Sequence, residues 1–109
     1  MIVVCNRIPV NADYHEAFEE RFADRASLVD GMDGFISFQL LRPQKEGDPY
    51  VVMTFWESDA HYQAWINSEE FKEGHARSGT LPREAFADHP KLEVFDVIQK
   101  TAKVDPVSE

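Results

Sequence analysis

Cysteine is nearly absent: Cys5 stands alone in a chain of 109 residues. A lone cysteine rules out an internal disulfide and any metal site built on several thiolates. Cations are scarce too, with Lys and Arg totalling 11 against 20 Asp and Glu, for a formal net charge of −9. Nucleic acid and anionic membrane surfaces need a basic face, so neither is an expected partner. The acidic residues are scattered, as on a solubilising surface. No apolar run approaches the ~18 residues that a membrane span requires. The opening M-I-V-V-C-N-R lacks the charged and long apolar regions of a secretory signal. Internal repeats and low-complexity segments are missing as well. These absences predict one soluble domain of the reducing cytoplasm. It is long enough for a core, yet leaves surface that association would bury.

Aromatic residues, by contrast, are plentiful: eight Phe, three Tyr and two Trp. They suit a packed sheet and a flat-ligand pocket equally well. Ile2 to Val10 is β-branched and apolar around Cys5-Asn6-Arg7 and reads as a strand, with Pro9 near its end. Asn6 and Arg7 must point to opposite faces, so a polar side chain sits on the interior side. Asp13 with Glu16 predicts a capped helix carrying Phe18, Phe22, Ala26 and Val29 at helical spacing. That helix should close near Asp30-Gly31. Phe35 to Arg42 reads as a second strand with Ile36, Phe38 and Leu40 on one face. A polar seven-residue loop then leads to a third strand, Tyr50 to Trp56, as an antiparallel hairpin. Ser58 is a good N-cap for a second helix through Trp65. Asn67-Ser68 breaks or re-caps it, and Ser68 starts a segment on which Phe71 and His75 share a face. Ala76 to Pro90 has no period and reads as a long loop. Leu92 to Gln99 is the last strand, with Leu92, Val94 and Ile98 on one face.

The order β-α-β-β-α-β is the ferredoxin-like pattern of the α+β class: helices over one face of a four-stranded antiparallel sheet. The uncovered sheet face calls for a second subunit, which predicts a homodimer. Residues 1–100 form the expected domain and 101–109 a polar C-terminal tail.

Three side chains stand out: Asn6 on the first strand, Trp65, and His75 beyond the helix break. The break frees Trp65 and His75 from the divergent directions that one unbroken helix would impose. Each alone has a plainer reading. A histidine near a helix end is usually a surface or cap residue, a lone tryptophan is usually core, and a strand asparagine is usually a satisfied polar group. His61, four residues before Trp65, is the rival ligand on the same helix face. Trp56 reads as core or interface, and His15, His61 and His89 as surface residues.

The segments N-R, E-R-F, G-F-I-S-F-Q-L-L-R-P, F-W-E-S and W-x(9)-H, in this order over about residues 2–99, resemble the IsdG-type haem-degrading monooxygenases. These lie within the antibiotic biosynthesis monooxygenase (ABM) domain group of dimeric α+β barrels. G-F-I-S-F-Q-L-L-R-P and W-E-S-D are similar to its mycobacterial branch in particular. The resemblance implies that His75 is the axial ligand of haem iron. It implies that Trp65 presses on the macrocycle and that Asn6 hydrogen-bonds a distal ligand. Phe22 and Phe71 would line the haem pocket, and Arg25 would approach a propionate. Haem would be both cofactor and substrate. O2 activated on its iron would open the tetrapyrrole and release iron, with electrons from an external donor such as an unidentified reductase. Glu73-Gly74 departs from the family pattern by placing a glycine just before His75. Two rival functions stay open: a cofactor-free oxygenase of phenolic or quinol substrates, which would not need His75, and a haem-binding dimer without turnover.

Overall fold

A computed structural model describes residues 1–22, 29–77 and 81–103, with only the backbone of 74–77. Four strands form the sheet: β1 (Ile2–Ile8), β2 (Phe35–Leu41), β3 (Tyr50–Trp56) and β4 (Lys91–Asp96). Their spatial order is β2-β3-β1-β4, and every pairing is antiparallel. The α-helices that the described residues show in full are α1 (His15–Glu20), α2 (Asp59–Ile66) and α3 (Glu69–Arg77). This is the expected ferredoxin-like α+β architecture. None of the described helices is long and apolar enough to cross a membrane.

Alternation along β1 sorts the two faces. Ile2, Val4 and Ile8 are buried under the helices, while Arg7 turns to the opposite face and pairs with Glu93. The core is split in two. One half gathers Ile2, Val4, Val29, Trp56 and Tyr62; the other gathers Ile8, Val10, Phe18 and Tyr50. Asn6 is the inward-facing residue between Val4 and Ile8 on β1. A polar side chain at that position interrupts the apolar packing instead of joining it.

Local details depart from the sequence reading. The first helix has no capping box: a 3-10 turn (Ala12–Tyr14) precedes it, and neither Asn11 nor Tyr14 makes a side-chain cap. Asn11 instead donates its amide to the Glu84 carbonyl, and its backbone N–H bonds Ala85 at 2.7 Å. Ala26 lies outside the described residues. The register of β2 on β3 shifts between Phe35 and Ser37, so Ile36 drops out of the inward row and is 43% exposed. The last strand stops at Asp96. Just beyond it the Val97 N–H bonds the Met1 carbonyl, and Ile98 is 94% exposed rather than part of a strand face. The stretch before β4 is less irregular than its sequence suggests. A 3-10 turn at Arg83–Ala85 and a bridge between Val10 and Phe86 tie it to the end of β1.

The helix break follows the sequence. Ser58 Oγ accepts the His61 N–H at 3.2 Å and caps α2. Ser68 Oγ accepts the Phe71 N–H at 3.1 Å and donates to the Trp65 carbonyl, closing one helix while starting the next. Gly34 holds the entry to β2 with φ +79°, and a Cβ there would lie 2.1 Å from the His61 ring. Gly34→Ala should therefore destabilise the fold by more than the roughly 1–2 kcal/mol of left-handed strain alone. Urea denaturation checks this as a lower midpoint at constant m.

Candidate functional site

A cavity of about 650 Å³ opens between the two halves of the core. That size lies within the range of small-molecule and cofactor sites. Its sheet wall is built by Val4, Asn6, Val52 and Thr54, and its helix wall includes Phe22, Trp65 and Phe71. The tied-down stretch after α3 contributes Leu81 and Phe86. Strand, helix and loop residues far apart in sequence thus share one mostly apolar chamber.

Four of the expected site residues line this cavity: Asn6, Phe22, Trp65 and Phe71. Trp65 is held by other aromatics. Its ring stacks on Trp56 at 6.3 Å and 29°, and meets Phe71 edge-on at 5.4 Å. Phe22 packs on Phe18 at 5.1 Å and reaches Phe38 at 6.4 Å. The Asn6 amide has no hydrogen-bond partner among the described residues, so its donor and acceptor remain available to a ligand. His75 belongs to α3, one turn beyond Phe71, and the helix runs through Gly74 to Arg77. The His75 side chain and the whole of Arg25 lie outside the described residues.

Sequence reasoning passed over Arg21. It lines the cavity, and its Nε is buried without a hydrogen-bond partner among the described residues. An unpaired buried donor of a cation costs stability until an anion or acceptor meets it. The E-R-F motif displays this arginine beside Phe22, but helical spacing alone does not aim it inward. His61 leaves the contest for a ligand role. Its Nδ1 lies 2.7 Å from Ser58 Oγ, its ring packs on Gly34, and it does not line the cavity. Among the described residues, no three His, Cys, Asp or Glu side chains group into a metal site.

Helix α1, which carries Phe18 and leads into Arg21 and Phe22, is pinned at the outer end of the cavity. Glu19 accepts from Arg42 Nε at 2.8 Å, from Arg42 Nη2 and from the Tyr50 hydroxyl. His15 packs edge-on against Tyr50 at 5.0 Å and bonds the Val10 carbonyl at 2.9 Å. It is therefore fixed rather than a free surface residue. The hydrogen bonds from Arg42, then from Tyr50, hold the Glu19 carboxyl down to about 2. Burial, then the neighbouring Glu19, pushes the Tyr50 hydroxyl up to about 12. A carboxyl with a lowered folded pKa stabilises above its ordinary value and loses that contribution as pH falls through the folded one. The stability gap between the native chain and Glu19→Gln should therefore be full above the ordinary 4.5 and close as pH approaches about 2. Thermal melts of both proteins across that range test it.

Residues 1–77 match the antibiotic biosynthesis monooxygenase family. A mycobilin-producing haem oxygenase of Mycobacterium tuberculosis is 48% identical over 66 residues, 61% of this chain and 63% of that one. The match thus spans under two thirds of that relative. A staphylobilin-producing haem oxygenase of Staphylococcus haemolyticus is 31% identical over 77 residues, 69% of this chain and 73% of that one. Among solved structures, the haem degrader MhuD from Mycobacterium tuberculosis, with two haems bound in its active site, aligns with a TM-score of 0.73 at 36% identity. That alignment covers 94% of this chain and 100% of that one. Profile, sequence and fold agree: the chain belongs to the antibiotic biosynthesis monooxygenase family.

Proposed function

We propose that the chain is a haem-degrading monooxygenase whose substrate occupies the cavity between Asn6 and Trp65. The observation that carries this reading is the chamber itself: apolar and aromatic walls with, among the described residues, one neutral amide and one cation whose Nε is buried and unpaired. A porphyrin matches that chemistry, because its macrocycle is apolar and its propionates are anionic. Haem degraders of Mycobacterium and Staphylococcus among the similar proteins point the same way.

Each residue then has a defined task. His75 would hold the haem iron through a neutral imidazole. Arg21 takes a propionate carboxylate in a charge-assisted pair, a task Arg25 could share. Phe22 and Phe71 exclude water from the ring. Trp65 presents a rigid indole face that a flat macrocycle must accommodate. Asn6 offers an N–H that stabilises partial negative charge without being acidic. Bound haem would supply the redox chemistry of ring opening, with O2 and an external reductase or reductant as co-reactants.

Two further features belong to this reading. The sheet face away from the helices bears Val3, Met53, Phe55 and Phe95, with Phe95 46% exposed. A second copy covering that face makes the dimeric α+β barrel. Burial pushes the single Cys5 thiol up, which makes it a poor nucleophile and keeps it out of the proposed chemistry.

Haemin titration tests the proposal. A Soret shift should appear at stoichiometric haemin, and the band should bleach with reductant and O2. Binding without bleaching would leave a haem carrier. Oxygen uptake with an anthrone-like phenol, and no haemin binding, would mark a cofactor-free oxygenase instead.

A further inference from the structure

The side chain behind Trp65 has no role in the reading above. Trp56 is fully buried on β3, and its indole N–H donates to Thr54 Oγ1 at 3.0 Å. Its ring is wedged by Phe35 edge-on at 5.5 Å and by Tyr62 at 6.0 Å. On its remaining side it stacks against Trp65 at 6.3 Å. Trp56 therefore has almost no freedom of its own, and Trp65 rests on it. Trp65 is only half-buried, and Phe71 meets it edge-on. Trp65 also packs against the cluster that holds Ile2, Val4, Val29 and Tyr62, but among the described ring contacts the Trp56 stack is the one that faces its indole plane, so losing it would let the indole tilt. The tilt matters if this residue presses on a flat ligand, because an indole that gives way exerts no pressure.

We propose that Trp56 is a positioning residue: it backs Trp65 from outside the cavity and sets the angle at which Trp65 meets the ligand, with Thr54 fixing Trp56 in turn. This rests on the haem reading for the identity of the ligand, but the backing of Trp65 is measurable without it. The chain has two tryptophans, so Trp56→Phe leaves Trp65 as the sole tryptophan, read selectively by exciting beyond the tyrosine absorption band. In the haem-free protein, the acrylamide quenching constant of Trp65 in Trp56→Phe should be at least about twice that of the accessible fraction in the native chain. In the haemin complex, the resonance Raman bands of out-of-plane ring distortion should fall by about half in Trp56→Phe and by less in Thr54→Val. Haemin affinity should change by less than about threefold. A residue that merely fills the core would lower stability while leaving the distortion bands alone.

Unchanged quenching in folded Trp56→Phe, or unchanged distortion bands in its haemin complex, overturns the positioning role. Failure of the native chain to bind haemin overturns the haem reading instead, and the quenching comparison still decides whether Trp56 holds Trp65.

Discussion

His75→Ala loses haemin affinity by at least ~100-fold, and the Soret shift disappears at stoichiometric haemin. The magnitude follows from the chemistry of ligation. Removing even a group that only orients a ligand typically costs about 10- to 100-fold in metal affinity, so removing the ligand itself costs no less. None of His15, His61 and His89 lines the cavity, and His89 is exposed. His61 is occupied by Ser58 and seated on Gly34, and His15 is bonded to the Val10 carbonyl and packed on Tyr50. His61→Ala therefore keeps the Soret shift, which makes it the paired control. Added imidazole should restore part of the shift in His75→Ala, because the apolar chamber around the ring is intact. Retention of the full shift in His75→Ala would sink the ligand assignment and leave the cavity to a different substrate class.

Phe18→Ala is expected to destabilise the fold by about 3–5 kcal/mol, a fall in Tm of roughly 12–20 °C. Phe18 is only 4% exposed and stands between Tyr50 at 4.8 Å and Phe22 at 5.1 Å. Its removal takes away the transfer energy of a buried aromatic and leaves a void beside an existing cavity. Collapse into that void is limited, because Tyr50 is pinned by Glu19 and the sheet behind it is paired on both sides of β1. Denaturant unfolding should show a lower midpoint with an unchanged slope. Haemin affinity should weaken as well, since Phe18 also lines the chamber. A loss below about 1 kcal/mol would mean that the cavity already absorbs the missing ring, and the division of the core at Asn6 would need another account.

The order of elements, the capping serine Ser58, the break at Ser68 and the placing of Asn6 and Arg7 on opposite faces were all legible in the sequence, while which of those two turns inward was not. Each depends on a local rule: hydrogen bonds within a turn of helix, or side chains alternating along a strand. Errors arose where a partner strand or loop overruled the local rule. Ile36 lost its face to a register shift against β3, and a 3-10 turn over Ala12–Tyr14 stands where Asp13 and Glu16 suggested a capping box, with Asn11 tied to the Glu84 carbonyl beside it. Arg21 was missed for the same reason. Nothing in E-R-F tells which side of the helix will meet the sheet, and only packing leaves that Nε buried beside the cavity.

By itself the sequence determined the α+β ferredoxin-like order, the helix break between Trp65 and His75, and the polar interruption of an apolar strand. Periods of 2.0 and 3.6 residues are written along the chain and need no distant partner. Tertiary structure alone decided that Asn6 splits the core into two halves, that Arg21 and Phe86 share its chamber, that His61 turns away, and that Trp56 stands behind Trp65. Those outcomes depend on contacts such as Val10 with Phe86 and Gly34 with His61, between segments that meet only when the sheet and its helices pack.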